Sequence, residues 1–123
     1  MNVLIVEDEA LIAMLLEEML DTRGYSVAAH ASTLAEGETM ASSLDFDVAI
    51  LDVSLAGEAV FPVAELLSDR GIPFVFTTGY GAAGMPAAWA DRPVFGKPYD
   101  IEPLIETIQQ LVPGGAVAAA GLN

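Results

Sequence analysis

Five side chains carry types and spacings that could do chemistry together: the acidic pair Glu7-Asp8, then Asp52, Thr78 and Lys97. Each closely follows a short apolar run. Val3 to Val6 precedes the acidic pair, Val48 to Leu51 precedes Asp52, Ile72 to Phe76 precedes Thr77-Thr78, and Pro93 to Gly96 precedes Lys97. A carboxylate can attack a phosphoryl donor and become an acyl phosphate. Three carboxylates in one crevice repel and take up protons unless a cation sits among them. Oxygen ligands with room for water suit Mg²⁺ or Mn²⁺. An ammonium and a hydroxyl would take further phosphoryl oxygens. Phosphoryl transfer needs mainly positioning and charge neutralisation. The set therefore reads as a phosphoryl site with Asp52 as the acceptor.

Each residue alone has a plainer reading. Asp52 can cap a turn. Glu7 and Asp8 suit the first turn of a helix. Thr78 can bond locally, and Lys97-Pro98 can be a surface turn. His30 reads as a solvated strand-end residue, and Trp89 and the phenylalanines as core. What favours the chemical reading is the conjunction, because the elements bring all these residues to one end of the fold.

Those elements follow from periodicity. Asn2 to Val6, Tyr25 to Ala29, Asp47 to Leu51, Ile72 to Phe76 and Pro93 to Gly96 read as strands. Val48 to Leu51 and Ile72 to Phe76 are continuous apolar runs, as expected for strands buried on both faces. Helices are predicted from Glu9 to Asp21 and from a Ser32 or Thr33 cap to Ser42. Two more run from Val60 to Asp69 and from an Asp100 cap to Val112. In the first helix Leu11, Ile12, Leu15, Leu16 and Met19 are expected to face inward. The stretch from Gly81 to Asp91, rich in Gly and Ala, reads as a short or poorly ordered helix, and Leu55-Ala56-Gly57 reads as a loop. Strict alternation predicts an α/β fold: a doubly wound, five-stranded parallel sheet of flavodoxin-like order 2-1-3-4-5, with helices on both faces. Ligands of such sheets sit beyond the carboxyl ends of the strands.

Composition narrows the function. The 123 residues are one domain's worth. There is no Cys, so no disulfide framework or thiolate metal site is available. The formal net charge is −14, from 18 acids against Arg23, Arg70, Arg92 and Lys97. Such a surface repels phosphate backbones, so no nucleic-acid partner is expected. The apolar stretch Ala10 to Leu16 is far below the ~18 residues of a membrane span, and no signal peptide is evident. A cytoplasmic protein without a membrane partner is expected.

These residues together resemble the receiver domain of two-component response regulators. Pro73-Phe74-Val75-Phe76-Thr77-Thr78-Gly79-Tyr80-Gly81, with Asp52-Val53-Ser54-Leu55 and Gly57-Glu58, is similar to the Phe-Ala-Thr-Gly-x-Tyr (FATGUY) subclass, Thr77 standing in place of Ala. The resemblance implies a CheY-like receiver over residues 1–112 and a flexible tail over 113–123. It implies Asp52 as phosphoacceptor, Thr78 and Lys97 on the phosphoryl group, and the backbone N–H groups of Val53 and Gly79 beside them. Mg²⁺ (or Mn²⁺) would be held by Glu7, Asp8, Asp52 and the Ser54 carbonyl. The implied donor is a sensor histidine kinase or phosphotransfer protein. The domain would catalyse its own phosphorylation and dephosphorylation without being an enzyme in the ordinary sense. The Lys97-Pro98 bond is expected to be cis.

The chain departs from the typical receiver at three places. Val94 stands where an aromatic residue is usual, and Phe95 should face the other side of the sheet. Ala56-Gly57 stand where a Pro is usual. Gly79 to Gly84 offers a loop and fourth helix that order only on phosphorylation. The alternative functions are a receiver-like interaction module without phosphorylation and an aspartyl-phosphate hydrolase. The hydrolase needs a second Asp two residues after the nucleophile, where this chain has Ser54. A flavodoxin would want a Ser/Thr-rich phosphate loop in place of Glu7-Asp8-Glu9.

Overall fold

The computed structural model describes residues 1–79, 85–97 and 100–112. Alternation of apolar runs and amphipathic segments gives β1 (Asn2–Val6), α1 (Ala10–Asp21), β2 (Ser26–Ala31), α2 (Leu34–Ser43) and β3 (Val48–Asp52). A two-stranded hairpin follows, β4 (Ser54–Leu55) with β5 (Glu58–Ala59), then α3 (Phe61–Arg70), β6 (Phe74–Thr78), β7 (Val94–Gly96) and α4 (Ile101–Leu111). The main sheet is parallel, in the order β2-β1-β3-β6-β7. Counting its five strands alone, this is the predicted order 2-1-3-4-5.

Alternating side chains of the strands build two cores, one on each face. Leu4, Val6, Ala49, Leu51, Phe74 and Phe76 pack with Ala41, Val63 and Leu67 of α2 and α3. Val3, Ile5, Val48, Ile50 and Val75 pack with Leu16, Leu20, Leu104 and Ile108 of α1 and α4. Val94 joins the first face and Phe95 the second, as the two-residue period requires.

The helix ends have local causes. The Thr33 hydroxyl accepts from the Glu36 N–H at 3.1 Å and so caps α2. Asp100 occupies the corresponding position of α4 without a side-chain cap bond, so the predicted cap is a matter of place alone. In α3 the proline lies in the first turn, and Gly71 ends the helix in the left-handed region at φ 71°.

Two expectations are corrected. In α1, Leu11 is 68% and Leu15 49% exposed; the buried residues are Ala13, Leu16 and Leu20. The run Ala10 to Leu16 is apolar nearly all round, so spacing could not decide which side faces the sheet. Of the predicted loop at 55–57, Leu55 belongs to β4, and Ala56-Gly57 form the turn of the β4–β5 hairpin. Of the short helix expected over Gly81 to Asp91, residues 81–84 lie outside the described residues, and Ala87–Trp89 form a short 3₁₀ helix. Residues 80–84, the Lys97-Pro98 bond and the tail 113–123 lie outside the described residues. Among the described residues no helix is long and apolar enough to cross a membrane.

Candidate functional site

Ladder hydrogen bonds carry the sheet's order up to the candidate residues. The Glu7 N–H donates to the Ala31 carbonyl at 2.9 Å, so β1 stays aligned with β2 one residue past its end. Asp52 is the last residue of β3, in register with Thr77 on β6. Thr78 is in register with Gly96 on β7, and the Lys97 N–H donates to the Thr78 carbonyl at 2.8 Å. Glu7, Asp52, Thr77 and Thr78 are the buried polar or charged side chains of the described residues, and all four lie at this end of the sheet.

Lys97 ties the acids together. Its Nζ donates to Glu7 Oε1 at 2.8 Å and to Asp52 Oδ2 at 3.0 Å. The remaining carboxylate oxygens meet backbone donors. Glu7 Oε2 accepts from the Glu9 N–H at 3.1 Å, and Asp52 Oδ1 accepts from the Ser54 N–H at 3.3 Å. Asp8 Oδ2 accepts from the Ala56 N–H at 3.0 Å. Glu7, Asp8 and Asp52 each offer an oxygen within 4.8 Å of the others. Three hard carboxylate oxygens at this spacing fit a divalent cation that prefers oxygen ligands.

Burial sets the electrostatics. Glu7 is 3% exposed, and this desolvation pushes its carboxyl up to about 7 from the ordinary 4.5. The Lys97 ammonium pulls the other way without overcoming it, and the neighbouring Asp52 carboxylate adds to the rise. For Lys97, burial favours the neutral amine, but the hydrogen bonds to Glu7 and Asp52 outweigh it and hold the ammonium above its usual range.

The structure thus brings Glu7, Asp8, Asp52 and Lys97 into direct proximity. Thr78 is buried one strand away from Asp52. Gly79 follows it, exposed, with open space where a Cβ would stand. Val53 is placed differently from the expectation. Its N–H donates to the Thr77 carbonyl at 2.9 Å as a continuation of the β3–β6 ladder, and the amide that reaches Asp52 is that of Ser54. His30 is half-buried rather than solvated, with Nε2 2.8 Å from the Glu7 carbonyl oxygen.

Sequence reasoning also missed the Ala56 N–H. The Ala-Gly pair was a weak hairpin signal, and no side chain announces a backbone donor.

A model of the response regulator receiver domain matches residues 3–109. The transcriptional regulatory protein PdtaR of Mycobacterium tuberculosis is 32% identical over 115 residues, which cover 90% of this chain and 56% of the relative. The chain therefore spans about half the length of the curated relatives it matches. The solution structure of SdrG from Sphingomonas melonis Fr1 is 40% identical with a TM-score of 0.79, covering 89% of this chain and 94% of that one. The receiver domain of PhyR from Erythrobacter litoralis is 28% identical with a TM-score of 0.72, covering 89% and 88%. Receiver domains are signalling modules. The chain belongs to the response regulator receiver domain family.

Proposed function

We propose that this chain is a phosphoacceptor of a two-component relay, with Asp52 as the residue modified. The observation that carries the reading is the Lys97 ammonium, hydrogen-bonded to both Asp52 and Glu7 with Asp8 beside them. The donor is the phosphohistidine of a sensor histidine kinase or phosphotransfer protein. An Asp52 oxygen bonds to phosphorus as the bond from phosphorus to the imidazole nitrogen breaks, and the histidine leaves as imidazole. Lys97 neutralises an oxygen of the transferred group. The Ser54 N–H, already at Asp52, and the Gly79 N–H after β6 would donate to others, and Thr78 would supply a hydroxyl. Glu7, Asp8, Asp52 and the Ser54 carbonyl are the residues to hold Mg²⁺ (or Mn²⁺), which would add positive charge where phosphoryl charge gathers. The same site would carry the later hydrolysis of the acyl phosphate.

The finer placement is the Phe-Ala-Thr-Gly-x-Tyr subclass. Phe74 to Gly79 supports it, as do Asp52 to Leu55 and Gly57-Glu58. Output is a change of protein partner in the cytoplasm. Residues 1–112 form the receiver and 113–123 a tail.

The test is Mg²⁺-dependent labelling by acetyl phosphate or a phosphorylated kinase. Wild type is expected to label, and Asp52→Ala to remain unlabelled. Labelling that survives Asp52→Ala rejects the assignment.

A further inference from the structure

The β4–β5 hairpin turns through two residues in the left-handed region, Ala56 at φ 51° and Gly57 at φ 88°. Consecutive positive φ values are what a tight two-residue hairpin turn requires. Gly57 adopts this freely, whereas a side chain at Ala56 disfavours it. Ala56 is the one residue other than glycine with positive φ among the described residues. Its methyl group is exposed, so side-chain packing does not explain the conformation. What the turn accomplishes is to aim the Ala56 N–H at Asp8 Oδ2, 3.0 Å away, across 48 positions of sequence.

We propose that the backbone N–H of Ala56, held by this left-handed turn, is a positioning group that fixes the Asp8 carboxylate for a divalent cation. The inference rests on the metal reading of Glu7, Asp8 and Asp52 given above. An N–H on one carboxylate oxygen is a charge-assisted bond. It limits rotation of the Asp8 carboxyl and leaves the second oxygen for the cation. Partners of this kind orient metal ligands, and their removal typically weakens metal affinity by about 10–100-fold. The hairpin thereby becomes part of the site's construction through a backbone group.

The experiment is Mg²⁺ titration of the full chain by calorimetry, with the Ala56 amide followed by ¹H–¹⁵N spectroscopy. Ala56→Pro deletes the N–H and excludes positive φ. Ala56→Gly keeps the N–H and eases the turn. A third variant carries lactic acid at position 56, which replaces the amide by an ester and deletes the N–H alone. The proline and ester variants are expected to bind Mg²⁺ about 10–100-fold more weakly, and Ala56→Gly within about twofold of wild type. In metal-free protein the Ala56 amide proton should lie downfield and move upfield in Asp8→Asn. If the proline variant fails to fold, the ester variant decides. Unchanged affinity in a folded variant lacking the N–H overturns the positioning role and leaves the metal site standing. No Mg²⁺ binding by wild type overturns the metal reading, and this inference with it.

Discussion

Lys97 Nζ lies 2.8 Å from Glu7 Oε1, joining residues 90 positions apart in the chain. The contact sets an ammonium against a carboxyl that burial pushes up to about 7. In the metal-free protein it is the principal counter-charge of the crevice.

Mg²⁺ affinity should rise with pH up to about neutrality. Below 7 the folded protein holds a proton on Glu7, and a cation must displace it. Apparent affinity is expected to fall by up to about tenfold per pH unit below that point and to level off above it. Calorimetry in buffers of different ionisation enthalpy, from pH 5.5 to 8.5, reads both the slope and the proton release. A flat profile contradicts the assignment of Glu7.

Stability of the metal-free chain should follow the opposite course. Glu7 ionises near 4.5 when exposed and about 7 when folded. Between these values the folded state binds more protons than the unfolded one, so this group lowers stability as pH rises through the window. Urea unfolding at pH 5 and pH 7.5 with a chelator measures it. No decline attributable to Glu7, judged against Glu7→Gln, would count against the raised value.

Lys97→Met removes the ammonium and leaves its two acceptors without it. The expected loss is about 2 kcal/mol at pH 8, the scale of hydrogen bonds to charged groups, and less at pH 5, where Glu7 is protonated. Equal losses at both pH values would mean that the side chain contributes packing instead of charge.

Gly37→Ala should destabilise despite the better helix propensity. An added Cβ would lie 3.1 Å from Val63 Cγ2 and 3.3 Å from Val6 Cγ1. Both valines are fully buried and stiff at χ1. Overpacking costs about 1–3 kcal/mol against a helix gain of about 1 kcal/mol, so a net loss near 1 kcal/mol is expected by thermal unfolding. A higher Tm in the variant would show that α2 can shift away from the sheet.

Trp89, the chain's single Trp, should report on the site. Its ring lies 6.1 Å from Phe76 and 6.3 Å from Phe61, stacked on the latter, and the Arg92 guanidinium lies over it at 5.5 Å. Phe76 is two residues before Thr78 on β6 and pairs with Val94. Addition of Mg²⁺ and beryllofluoride is expected to shift Trp89 emission, with Trp89→Phe as the blank. An unshifted spectrum under conditions where beryllofluoride binding is seen by ¹⁹F spectroscopy would uncouple this cluster from the site.

Much of this was legible in the chain itself. Asp52 stood out because an acid ends a fully apolar strand, and Val94 and Phe95 were assigned to opposite faces by the two-residue period alone. The failures have physical causes. Leu11 and Leu15 were turned inward because an all-apolar segment carries no moment to orient it. The β4–β5 hairpin was missed because two-residue strands leave no periodicity to read. Val53 was given a role that its N–H cannot fill while it bonds to Thr77. That choice between neighbouring amides depends on where the β3–β6 ladder stops, which is a tertiary fact.

The parallel register of β3 between β1 and β6 has a further consequence. Asp52 sits opposite Thr77, and Leu51 opposite Val6. A slip of one residue would turn every side chain of β3 to the other face, sending Asp52 away from Glu7 and Lys97. A chain mispaired in this way would also lose the carboxylate cluster. One register thus decides two things at once: which face of β3 enters each core, and whether the three carboxylates meet.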